Sequence, residues 1–169
     1  MKRIFTVIAV VVLGLAGSDL MLAQGTADQF VGTWKLDLVM SKFTGMPTPT
    51  SETRKVEAQG NGYKFTVEGI AGDGKAIAYS FTSNLDGKVV PVTGWGIPGE
   101  ADVWGVQREM IASQRNDSNT MTTTATKAGK VVLTIRSVVS KDGKVTTITA
   151  NGTDPNGQPV SYVAVFEKQ

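Results

Sequence analysis

The stretch YKFTVEGIAGDGKAIAYSFT (residues 63–82) reads as two strands around one turn. Tyr63, Phe65, Val67 and Gly69 share one face, against Lys64, Thr66 and Glu68 on the other. Beyond AGDGK (71–75), Ile77, Tyr79, Phe81 and Leu85 again oppose Ala76, Ala78, Ser80, Thr82 and Asn84. A period of two marks a strand with one face buried. Asp-Gly between two such runs supplies the positive φ that a tight hairpin needs. The stretch therefore folds as an antiparallel hairpin with an aromatic inner face.

Working outward, the same pattern recurs. LDGK (85–88), KAGK (127–130) and KDGK (141–144) each separate two runs rich in Val, Ile, Thr, Tyr and Phe. Strands are expected near 32–38, 52–58, 63–70, 76–84, 88–93, 102–107, 110–115, 120–127, 130–139, 144–152 and 159–167, with some of the middle pieces joined. Short strands at regular spacing predict an all-β fold, an antiparallel meander β-barrel of about 8–10 strands. The repeated Asp-Gly-Lys could suggest a calcium loop, but each turn offers one carboxylate where calcium needs several oxygens at fixed spacing. DPNGQP (154–159), with Asp154 and Asn156, lacks later acidic ligands as well. All of these are expected to be turns, and no metal or cofactor is expected. The threonines of TMTTTATK (120–127) and VTTITAN (145–151) suit strands by shape, but a dry core seldom takes so many hydroxyls. Most are expected to face water, leaving room for a partly wet interior.

The chain opens differently. Lys2 and Arg3 precede an almost wholly apolar Ile4 to Ala16, and small residues follow. This is the pattern of a signal peptide over residues 1–23, with cleavage after Ala23 or Ala27. The apolar run is shorter than the roughly 18–20 residues that span a bilayer, so no integral membrane segment is expected after cleavage. The expected product is a single domain, 28–169, exported to a periplasm or the medium. With no cysteine it can form no disulfide. Removing Lys2, Arg3 and Asp19 from 17 basic and 15 acidic residues leaves 15 and 14, a net of +1. That balance gives no electrostatic reason to expect nucleic acid or an anionic membrane as partner.

What is missing limits the chemistry. There is no histidine for a base or relay and no cysteine for a thiolate or an ordinary zinc site. Neither a P-loop nor a dinucleotide-binding glycine fingerprint follows a strand. Carboxylates alone could run glycoside hydrolysis, which needs a pair about 5–10 Å apart across a cleft. Asp37, Glu52, Glu57, Glu68, Glu100, Asp102 and Glu109 stand mostly on the polar phase of strands or in loops, and no pair stands out. A non-enzymatic role is expected.

Gly32-Thr33-Trp34, at the start of the first strand, resembles the Gly-x-Trp signature of lipocalins and their calycin relatives. GTWKLDLVMSKF (32–43), NLDGKVVPVTG (84–94) and VVSKDGKVTTITANGTDPNGQPVSYVAVFEK (138–168) are similar to small exported bacterial proteins described as lipocalin-like. The resemblance spans roughly residues 28–168. It implies a barrel that holds a small apolar molecule, with Trp34 closing one end and a late cation, Arg136 or Lys168, across its ring. Such a cation–indole contact contributes about 0.5–2 kcal/mol. Interior ligand-binding candidates are Tyr63, Phe65, Tyr79 and Phe81, with Arg136 as partner for a ligand carboxylate if it points inward. The loop TGWGIPGEADVW (93–104) adds Trp95, Ile97 and Trp104, large apolar residues where glycine and proline make a loop. Such residues cover either the barrel mouth or a ligand. The leading expectation is an exported binding protein for a small apolar or amphipathic ligand. The alternative is an envelope interaction module with a filled barrel.

Deletion of residues 1–23 should leave the protein in the cytoplasm, folded and soluble, since no cysteine pair requires an oxidising compartment. Fractionation checks this, and an insoluble product would mean that the deletion had cut into the fold.

Overall fold

The computed structural model describes residues 28–93 and 108–169. These form ten strands: β1 (Gly32–Thr44), β2 (Ser51–Gln59), β3 (Gly62–Ile70), β4 (Ala76–Ser83), β5 (Asp86–Pro91), β6 (Met110–Arg115), β7 (Thr120–Lys127), β8 (Lys130–Val139), β9 (Val145–Thr153) and β10 (Pro159–Lys168). Among the described residues no helix forms. Every pairing is antiparallel, and one sheet runs in the order β4-β3-β2-β1-β10-β9-β8-β7-β6-β5. Among the described residues its two edges meet through one bridge, between Ser80 of β4 and Thr93 just past β5, whose two backbone hydrogen bonds are 2.7 and 2.8 Å. The expected meander is therefore a nearly closed barrel. The strand expected near 102–107 lies outside the described residues.

The turns form for the reasons their residues give. Gly74, Gly87, Gly143 and Gly157 have φ between 71° and 85°. The preceding carboxylates accept backbone N–H groups: Asp73 from Lys75 at 3.1 Å, Asp86 from Lys88 at 3.1 Å, Asp142 from Lys144 at 3.2 Å. Asp154 accepts from both Asn156 and Gln158, at 2.8 and 2.7 Å. These carboxylates are committed to local turn geometry. β1 is longer than its expected end at Leu38. It resumes after a bulge between Asp37 and Lys42 and pairs with β10 as far as Thr44.

At the end of the barrel where β1 starts and β10 finishes, residues 28–31 cross over the strand ends. Trp34 is 3% exposed, and its Nε1 donates to the Phe30 carbonyl at 2.9 Å. Lys168 is the cation over its ring, with Nζ 4.8 Å from the centroid, and it also donates to the Gln29 carbonyl at 3.2 Å. Arg136 does not take that place. Gly32 makes the contact sterically accessible: a Cβ there would stand 2.5 Å from Lys168 Cε, and its φ of +143° is itself unfavourable for other residues. Beside this latch, Asp28 receives Arg115 Nη2 at 2.6 Å and the Tyr63 hydroxyl at 2.5 Å. The Arg115 guanidinium lies 4.9 Å from the Phe30 ring and 5.3 Å from that of Tyr63. Segment 28–31 thus plugs this end of the barrel.

Trp34→Ala should lower stability by about 3–5 kcal/mol through lost burial and the cavity left behind. Arg136→Ala, at an exposed position, should stay within about 0.5 kcal/mol of wild type. Denaturant melts of the two variants check both. Equal effects would remove the distinction between latch and outer wall.

Candidate functional site

Inside the barrel, alternation points Trp34 and Leu36, Phe65 and Val67, Ile77 and Tyr79, Leu133 and Ile135, and Ile148 and Phe166 toward one another as a buried core. The packing leaves a cavity of about 60 Å³. Phe30 and Trp34 line its plugged end, and Phe65 and Phe81 stack along its wall with ring centroids 4.6 Å apart at 7°. Its surface is not wholly apolar. Thr123, Ser137 and Thr146 also line it. The Thr123 and Ser113 hydroxyls hydrogen-bond at 2.9 Å, while Thr146 Oγ1 has no hydrogen-bond partner among the described residues. So several of the strand threonines do face inward. About 60 Å³ holds a few waters, each needing some 10–15 Å³. It is well below the roughly 300–1,000 Å³ of a drug-sized pocket.

The interior also carries charge. Arg54 comes from β2, which places Glu52, Arg54 and Val56 on its inner face. Arg108 comes from just before β6, and both guanidiniums line the cavity. Glu52 is fully buried and accepts from Arg54 Nε at 2.5 Å, while its Oε2 has no hydrogen-bond partner among the described residues. The Arg54 guanidinium sits 4.8 Å from the Phe166 ring and that of Arg108 5.4 Å from the Tyr79 ring. Burial raises the Glu52 carboxyl above the ordinary glutamate range, against the pull of Arg54 and Arg108. For Arg54, burial works against the charge, but Glu52, Tyr79 and Tyr162 together outweigh it and hold the guanidinium above its ordinary range. Burial pushes the Tyr162 phenol up to about 12, with Arg54 and Arg108 opposing. One carboxyl, two guanidiniums and two phenols therefore form a dense polar cluster inside a mostly apolar barrel. Such an arrangement is suited to holding the acidic group of an amphipathic molecule, since a guanidinium fork matches a carboxylate.

Of the residues expected at a site, Phe65, Tyr79 and Phe81 line the cavity. Tyr63 does not: it is half-buried in the end plug, bonded to Asp28. Arg136 corrects the expectation of an inward cation. Ile135 and Ser137 occupy the inner phase of β8, so Arg136 is exposed on the outer wall. Trp95, Ile97 and Trp104 lie outside the described residues. Sequence reasoning missed Glu52, Arg54, Arg108 and Tyr162. The signal for two of them was Val56, because a strand that buries Val56 must also turn Arg54 and Glu52 inward.

No family model matches the sequence, and no curated protein matches it. Among solved structures, the chain is similar to zebrafish ileal bile acid-binding protein complexed with cholic acid, at 11% identity, covering 83% of this chain and 99% of that one, with a TM-score of 0.48. It is similar to bovine odorant binding protein complexed with its natural ligand, at 13% identity, covering 87% and 76%, with a TM-score of 0.42. It is also similar to As-p18, an extracellular fatty acid binding protein, at 15% identity, covering 84% and 97%, with a TM-score of 0.44. The chemistry of the cavity follows from its own residues.

The folded state holds the Tyr162 proton more tightly than the unfolded chain, whose tyrosine titrates near 10. The stability this confers is fully present below pH 10 and is lost as pH rises through about 12, an effect on the order of 2–3 kcal/mol. Phenolate absorbance should show one late tyrosine, and Tyr162→Phe should remove that step and flatten the alkaline fall in stability. A wild type in which every tyrosine titrates near pH 10 would contradict the burial of this phenol.

Proposed function

We propose that this is an exported, non-enzymatic binding protein that takes a small amphipathic anion into the barrel. The acidic group meets Arg54 and Arg108, and the apolar part lies among Phe65, Phe81, Ile111 and Met121. The observation that carries this reading is the entry of two guanidiniums into an internal cavity whose walls are otherwise mostly apolar. Export is supported by the leader pattern of residues 1–23. At about 60 Å³ the cavity takes only a short chain as it stands. A longer ligand requires the stacked Phe65 and Phe81 rings to part or Met121 to change rotamer, and methionine adapts readily.

A second reading is favoured by the same small volume. A barrel filled to this extent can serve as a rigid module that binds a partner through its outside, with the inner charges serving only to order the core.

Titration calorimetry with a series of alkyl carboxylates and the matching neutral alcohols distinguishes the two. The binding reading expects saturable micromolar affinity for carboxylates, and Arg108→Gln should weaken it about tenfold, equivalent to 1.4 kcal/mol. The alcohols should bind weakly to both proteins and without that difference. No saturable binding across the series would leave the filled module.

A further inference from the structure

The β1 bulge presents an apolar tip on the outside of the barrel. Val39 is 93% exposed, Met40 65% and Leu38 41%. Three consecutive large apolar residues in water are not the ordinary scatter of surface side chains. The bulge is also held in shape. The Asp37 carboxylate accepts the N–H groups of Val39 and Met40 at 2.8 and 3.1 Å. The Ser41 hydroxyl donates to the Asp37 carbonyl at 2.5 Å and accepts the Val165 N–H at 2.9 Å. Two of the tip's backbone donors are therefore already satisfied, which lowers the cost of taking the tip out of water.

Cations stand around it. Lys35 and Lys42 flank the bulge on β1, and both are exposed. Lys42 pairs with Val163, Val163 with Thr149, and Thr149 with Arg136, so Lys42 and Arg136 share one outward row. Three strand spacings separate them by about 14 Å. Val163, between them, is 40% exposed. Glu167 faces Lys35 across the ladder and the Asp117 carboxylate draws on Arg136, so Lys42 and the outer part of Arg136's charge supply the positive side of this row. The near-neutral charge of the whole chain conceals this local arrangement.

We propose that the bulge is a lipid-surface anchor: Leu38, Val39 and Met40 enter the boundary between headgroups and acyl chains, and Lys42 and Arg136 meet anionic phosphates beside it. The shape favours lipid over a protein partner. A stable protein interface needs roughly 800 Å² on each side with complementary packing, whereas a convex tip of three side chains offers far less. Interfacial insertion asks only for a small apolar wedge with cations alongside. The anchor does not depend on what the cavity holds.

The test is co-sedimentation of the protein with vesicles of phosphatidylcholine and phosphatidylglycerol, and with phosphatidylcholine alone. Binding to the mixed vesicles should exceed that to the neutral ones and fall with added salt. Val39→Asp with Met40→Asp should weaken it about tenfold or more, and Lys42→Gln with Arg136→Gln should remove the preference for the anionic lipid. Both variants should melt with the wild type, because every changed side chain is exposed. The proposal is overturned if wild type binds neither vesicle, or if the aspartate variant binds as well as wild type. It is equally overturned if sedimentation velocity shows the tip holding two copies together, with a dimer that the aspartate variant abolishes.

Discussion

The pairing of the first strand with the last is the constraint on which everything else rests. Eight of the strand pairings join neighbours in sequence, seven of them through short connections and the eighth, β5 with β6, across residues 92–109. β1 with β10 is the exception, drawing together residues about as far apart as the described chain allows. Closing so long a loop costs chain entropy that no hairpin repays. The compensation is concentrated at one end of that pair, where Lys168 crosses the Trp34 ring, Gly32 gives it room and the Gln29 carbonyl accepts a hydrogen bond from its ammonium. Segment 28–31 then lies over the joint, with Asp28 linking it to β3 through Tyr63 and to β6 through Arg115. The plug is an assembly of short contacts from sequence-distant strands, so it forms only when the barrel does.

That division explains what could be read from the sequence. Hairpins are local, and so were their signals: Asp-Gly turns and period-two faces placed nine of the ten strands to within about two residues at each end. The exception was β1, whose pattern breaks at Leu38-Val39-Met40, where the apolar tip turns outward. Nothing in the run itself says that pairing resumes at Lys42, because that depends on β10. The choice between Lys168 and Arg136 over Trp34 was open for a related reason. It is decided by which cation ends a strand beside Trp34, a matter of register between distant segments.

The candidate site was half legible. Phe65, Tyr79 and Phe81 belong to strands whose two faces differ plainly in polarity. β2, SETRKVEAQ, carries polar residues on both faces, so nothing in the run marked Arg54 as inward, and Glu52 stood only among carboxylates assigned mostly to polar phases or loops. Their burial follows from tertiary pairing: Arg54 stands between Trp34 on β1 and Val67 on β3, both inward. A buried ion pair of this kind contributes little to stability compared with apolar residues of similar volume, yet removing one member is expensive. The barrel thus keeps polar groups in its interior that packing alone would not select.

The seam between β4 and β5 has a further consequence. Elsewhere around the barrel each strand shares a ladder with both neighbours, but here, among the described residues, one bridge at Ser80 and Thr93 joins the two edges, and Pro91 has no N–H to offer either side. Two strand edges that would otherwise invite foreign strands therefore shield each other at close range. Such a joint can part by a few ångströms while the remaining nine connections stay intact, much as a split ring opens without breaking. Amide protons beside the split would then exchange with solvent long before those of β9 and β10, and the barrel would breathe sideways through its wall as well as from its end.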